Sequence, residues 1–132
     1  IAAREAPGLG LSDRRPRLLC AQQISCRPMV HAWDEGSATI APHHIVAKPH
    51  GIAEAILRGN PTKAYPHIRA ITIASGGTMI AVDEDAIRRA QAEVLEDEGI
   101  TICPAAGTAV AAIAELAERD PALAEATILV NL

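Results

Sequence analysis

The chain is 132 residues long and 49% apolar, yet has one Trp, one Tyr and no Phe. A single core of Ala, Val, Ile and Leu therefore fits it better than an aromatic-rich sandwich. Its net charge of -4 and pI near 5.7 supply no cationic field for nucleic acid, no apolar run reaches the ~20 residues of a bilayer span, and Arg4 and Glu5 break any secretion signal, so a soluble cytoplasmic protein is expected.

In chain order, "IAAREAPGLGL" reads as the body of a helix ending before Pro7 and Gly8, beginning as abruptly as an excised piece. "SDRRP" is a polar connector, and "RLLCAQQ", Arg17 to Gln23, has the length of a buried strand. Pro, Gly and Ser scattered from Ile24 to Pro49 predict a loop with one helical turn near Met29 to Asp34. Ile52 to Arg58 is expected to be a helix stopped by Gly59 and Pro61, paired with a second over Tyr65 to Ala74.

Ser75, Gly76 and Gly77 make a turn into an apolar strand, Thr78 to Val82. Asp83 then suits an N-cap, and Glu84 and Asp85 favour the positive end of the helix dipole. Ile87, Ala90, Val94 and Leu95 recur at helical spacing before Gly99 stops the helix. Ile100 to Ile102 is a brief strand. Pro104 opens an Ala-rich helix to Asp120, and "ATILVNL" is a final buried strand. Strands alternating with helices predict an α/β fold with a doubly wound, mostly parallel sheet flanked by helices.

Side chains able to do chemistry are sparse. Gly76-Gly77 feeds a strand, whereas a phosphate cradle opens a helix, so the pair reads as turn glycines. His43 and His44 point in different directions on any regular element, with no acid or Cys at a recognisable ligand spacing near them, so His31, His43, His44, His50 and His67 read as surface residues, with no metal expected. Cys20, Cys26 and Cys103 show no CxxC spacing and read as small hydrophobes or spectators. Ser25, Ser37 and Ser75 lack a nucleophile elbow, and Lys48 and Lys63 lie in polar, Pro-containing loops unsuited to a desolvated Schiff-base lysine. No catalytic residue is assigned.

"HGIAEAILRGNP" resembles the segment of threonine synthases that leads into their Ile-Gly-Asn-Pro loop. "SGGTMIAVDEDAIRRAQAEVLEDEGITICPAAGTAVAAIAEL" is similar to the strand–helix–Pro-helix block that follows in the same pyridoxal-phosphate β-family, fold type II. "PMVHAWDEGS", "EGITICPAAGTAVAAI" and the closing "ILVNL" are closer to the cysteate synthase branch. The resemblance runs from about Arg17 to Leu132. It implies that residues 1–132 are the C-terminal part of the large pyridoxal-phosphate domain, with the small domain, Schiff-base lysine and glycine-rich phosphate loop elsewhere.

What the resemblance further implies is a cofactor wall at His50, Gly51, Ile52 and Ala53, where a side chain at residue 51 would collide with the ring, and a pyridine edge at Cys103, Pro104 and Ala105. Relatives often carry Glu or Ser in the latter block. With Cys and Ala there instead, a partner for the ring nitrogen is expected from a Thr-Gly run after the final strand. The implied whole enzyme eliminates phosphate from a phosphorylated amino acid and adds water or sulfite. This piece alone is expected to be inactive, and to associate as a homodimer or with the rest of the enzyme. The alternative is a non-catalytic α/β ligand-binding or regulatory domain sharing only the patterning; the apolar ends Ile1 and Leu132 favour the former.

Overall fold

A computed structural model describes residues 6–10 and 16–130. The expectations for the first five residues, for most of the SDRRP connector and for the last two residues lie outside these. Two strands pair in parallel, β1 (Leu19–Gln23) and β2 (Thr78–Val82), in the register Leu19 to Thr78 through Gln23 to Val82. A parallel pair needs a crossover, and 54 residues of chain between Gln23 and Thr78 provide it. It includes α1 (Pro28–Asp34) and α2 (Tyr65–Ala74). After β2 come α3 (Glu84–Glu98), α4 (Pro104–Arg119) and the short α5 (Pro121–Ala124).

Because successive side chains on a strand point to opposite faces, the pair separates two cores. Ile80 and Val82, with Ala21 beside them, face Ala86, Ile87 and Ala90 of α3 and Ala111 and Ala112 of α4. Met79, with Cys20 and Ala81, faces Val30 and Ala32 of α1, Ile40, and Tyr65 of α2. Helices thus cover both faces of a parallel sheet, the α/β arrangement anticipated. Ile87 is wholly buried, a contribution of roughly 1.5–3 kcal/mol. Tyr65 is equally buried, and its hydroxyl donates to the Ser37 carbonyl at 2.9 Å.

Local signals explain the element ends. The Asp83 side chain accepts the Ala86 N–H at 2.7 Å, and Gly99 closes α3 with φ 67°. Gln22, buried on the α1 side of the sheet, performs the same service at a distance: its Oε1 accepts the N–H groups of Met29 and Val30 at 2.9 and 3.1 Å. At the Gly76-Gly77 turn, Gly76 has φ 68°, and a Cβ on Gly77 would collide with the Leu18 carbonyl. Bare backbone there lets β2 start directly beside β1, with the Thr78 N–H donating to that carbonyl at 3.2 Å.

Three expectations need correction. The segment from Ile52 to Arg58 is not a helix: only Glu54–Ile56 forms a single 3-10 turn, and Leu57, at ψ 85°, has left helical geometry. Its start is held elsewhere, by one bond from the Ala53 N–H to Gln23 described below, and the chain just beyond it by the Val46 N–H donating to the Gly59 carbonyl at 3.0 Å. Ile100–Ile102 joins no ladder. The Ile102 carbonyl instead accepts from Gln91 Nε2 at 2.7 Å, and Ile100 is exposed. Residues 127–130 are likewise unpaired, with Leu129 almost fully exposed. Apolar character alone does not make a strand without a neighbouring edge to bond. In addition, α4 stops at Arg119, and Asp120 caps the unanticipated α5 through Ala122.

Replacing Asp83 by Ala leaves the N–H at the start of α3 without its acceptor. The substitution is expected to lower stability by about 1 kcal/mol. Urea unfolding should show a lower midpoint with unchanged slope; an unaltered midpoint would refute the capping role.

Candidate cofactor-binding site

In open parallel sheets, ligands bind beyond the carboxyl ends of the strands. Here those ends are Gln23 and Val82. Gln23 is 1% exposed, and its carboxamide is fully engaged. Oε1 accepts the Ala53 N–H at 2.9 Å, while Nε2 donates to Ser25 Oγ at 2.8 Å and to Glu84 Oε1 at 2.7 Å. Ser25 passes the chain on, its hydroxyl donating to the His50 carbonyl at 2.7 Å. The two donors and the acceptor face groups of matching character, so the orientation of the amide is determined by its partners. Glu84, in the first turn of α3, sits where the helix dipole favours its charge.

This network fastens residues 50–53 to the end of β1. Gly51 has φ 138°, and a Cβ there would overlap the Gln23 carboxamide. The need for glycine is thus accounted for inside the chain, by backbone conformation and by Gln23, and does not of itself mark a cofactor face. Ala53 is buried, Gly51 and Ile52 are half-buried, and His50 is exposed with Nδ1 3.3 Å from the Lys48 carbonyl. Ile52 packs against the core cluster of β2, α3 and α4.

Cys103, Pro104 and Ala105 lie at the start of α4. Cys103 is an exposed, extended N-cap whose side chain bonds to no backbone donor of the helix. Four residues on, Gly107 lets α4 approach α3: a Cβ there would press on Gln91 and Ile87 at 3.0–3.2 Å. The Glu54–Ile56 turn touches α4, which also contacts both strands. Among the described residues no hydrogen bond joins 50–53 to 103–105; the common support of the two segments is α4. A shallow groove of about 150 Å³ between α3 and α4, walled by Arg89, Glu93, Ala114 and Glu118, includes none of these positions.

Sequence reasoning missed a second constellation. His44 is no surface residue, with 2% exposure. Its Nε2 lies 2.7 Å from Glu35 Oε2, His43 Nε2 lies 3.0 Å from the same oxygen, and His31 Nε2 lies 3.3 Å from Oε1. The carboxyl of Glu35 is held down at about 2, chiefly by the hydrogen bond from His44 and then by that from His43. The legible signal was the i,i+4 spacing of His31 and Glu35; the 42–44 turn that folds the other two histidines back is a tertiary effect. Of the cysteines, Cys26 is buried, which pushes its thiol up, and all three are free.

Residues 5–132 match the family model described as pyridoxal-phosphate dependent enzyme. The chain belongs to that family. Among curated relatives, it is 34% identical to a threonine synthase of Methanosarcina acetivorans over 115 residues, 87% of this chain and 27% of that protein. It is 33% identical to a threonine synthase of Methanocaldococcus jannaschii, over 83% of this chain and 26% of that protein. A cysteate synthase of Methanothrix thermoacetophila is 31% identical over 91% of this chain and 29% of its own length. The chain thus spans a little over a quarter of the length of these relatives. The family depends on pyridoxal phosphate. No helix among the described residues is long and apolar enough to cross a membrane.

Of the positions expected to flank such a cofactor, Gly51 and Ile52 are half-buried beside the strand ends, Ala53 is buried with its N–H taken by Gln23, and α4 begins without a side-chain cap. Both lysines, Lys48 and Lys63, are exposed. Replacing Gly51 by Ala forces a disfavoured φ and displaces the Gln23 carboxamide. A loss of about 1–3 kcal/mol is expected. Thermal or urea unfolding measures it, and wild-type stability in the variant would contradict the packing described.

Proposed function

We propose that this chain supplies one wall of a pyridoxal-phosphate pocket in a synthase that eliminates phosphate from a phosphorylated amino acid and replaces it with water or sulfite. The observation that supports this most is the fastening of residues 50–53 at the carboxyl end of a parallel strand, in a chain similar along most of its length to threonine and cysteate synthases. Gly51, Ile52 and Ala53, with His50 at the rim, form the wall on one face of the ring. Cys103, Pro104 and Ala105 border the pyridine edge, where the opening N–H groups of α4 lie. When bound, the cofactor withdraws electrons from the substrate carbon next to the amino group.

The chain's own part is steric and electrostatic: a flat approach at residue 51, water held off by Ile52, and a positive helix end at residue 104. Proton transfer and the covalent anchor need a desolvated lysine. Lys48 and Lys63 are both exposed, so that lysine comes from the remainder of the enzyme.

Amide NMR spectra of the 132-residue chain titrated with millimolar pyridoxal phosphate are expected to shift at Gly51, Ile52, Ala53 and Ala105. After dialysis no visible absorbance should remain, and no phosphate should be released from a phosphorylated amino acid. Shifts confined to the surroundings of Lys48 and Lys63 would contradict the assigned wall. Retained colour or phosphate release would contradict the division of labour.

A further inference from the structure

We propose that His31, Glu35 and His43 form a binding site for a divalent transition-metal ion of the zinc class, and that His44 is the positioning residue that holds the Glu35 carboxylate for it. The site is independent of the cofactor reading. Glu35 presents a two-oxygen fork with an imidazole on each prong, His31 Nε2 at 3.3 Å from Oε1 and His43 Nε2 at 3.0 Å from Oε2. Bonds of about 2.0–2.2 Å to imidazole nitrogen and carboxylate oxygen set ligand atoms roughly 3.3 Å apart in a tetrahedral site. Both nitrogen–oxygen spacings are close to that; the trio whose donor atoms already lie within 4.8 Å of one another is Glu35, His43 and His44, so the half-exposed His31 side chain must swing toward His43 to close the site. Two imidazoles and a carboxylate are the donors that select zinc and its neighbours over magnesium or calcium.

The third histidine has a different part. The Ala41 N–H donates to His44 Nδ1 at 2.9 Å, so that nitrogen carries the lone pair and the proton resides on Nε2. A protonated Nε2 cannot ligate a metal. It donates instead to Glu35 Oε2 at 2.7 Å and, being fully buried as a side chain, fixes the carboxylate as outer partners of metal ligands do. His31 and His43 are free of such a constraint: among the described residues neither Nδ1 has a hydrogen-bond partner, so the proton that His43 Nε2 otherwise donates to Glu35 can reside on Nδ1 and leave Nε2 to the ion.

The side chains of His31, Glu35 and His43 are 44%, 45% and 60% exposed. An ion reaches them without opening the fold, and water completes its coordination. Glu35 is also the C-cap of α1, the helix end that attracts cations.

Zinc binding by the intact chain, followed by competition with a chromogenic chelator, tests the site, with far-UV circular dichroism confirming that each variant is folded. His31→Ala, His43→Ala and Glu35→Gln are each expected to weaken binding by about tenfold or more, while His67→Ala, on exposed α2 surface, leaves it unchanged. In imidazole 15N spectra, zinc should move the Nε2 resonances of His31 and His43 and leave His44 protonated at Nε2. Affinity unaltered by His31→Ala and His43→Ala, or zinc displacing the Nε2 proton of His44, would overturn the proposal.

Discussion

A single buried carboxamide organises the carboxyl end of the sheet. Gln23 ends β1 on the face shared with α3 and α4, and from there it bonds the loop at Ala53, the turn at Ser25 and the start of α3 at Glu84. Each bond is worth about 0.5–1.5 kcal/mol net, but an unpaired amide group left in this position costs about 1–3 kcal/mol. That asymmetry makes the arrangement selective: the loop adopts the one course that satisfies Gln23, and Gly51 is the residue that this course tolerates.

Its neighbour Gln22 does comparable work on the opposite face, accepting two N–H groups at the start of α1. Two consecutive glutamines at the end of one strand thus orient one element on each side of the sheet. The parallel pair supplies the frame, since its two strands end side by side at Gln23 and Val82. Small residues finish the arrangement: Gly77 brings β2 against β1, and Gly107 brings α4 against α3. Residues 50–53 and the start of α4 are therefore both tied to the sheet and its flanking helices.

Much of this was legible in residue order. Helix α2, from Tyr65 to Ala74, and strand β2, from Thr78 to Val82, have the predicted bounds. The Asp83 cap and Gly99 stop delimit α3 as their chemistry requires. These signals are local, so a linear reading suffices. The failures share the opposite cause. Ile52 to Arg58 has helical spacing, but Gln23, some thirty residues away, takes the Ala53 N–H at its start. The apolar residues Ile100 and Leu129 suggest strands, yet a strand exists only beside an edge, and none pairs with them among the described residues. His43 and His44 gained an acid only when the 42–44 turn met the end of α1. The cofactor itself was readable through family resemblance, whereas composition and spacing alone stopped at an α/β domain.

The interlock of Gln23 with Gly51 is most directly examined by a double-mutant cycle in urea unfolding, combining Gly51→Ala with Gln23→Ala. Removal of the carboxamide frees the space a Cβ would occupy, so the account predicts that the cost of Gly51→Ala falls by about 1 kcal/mol or more in the Gln23→Ala background. Costs that simply add would show that the two residues do not constrain each other and that the loop is held by something else.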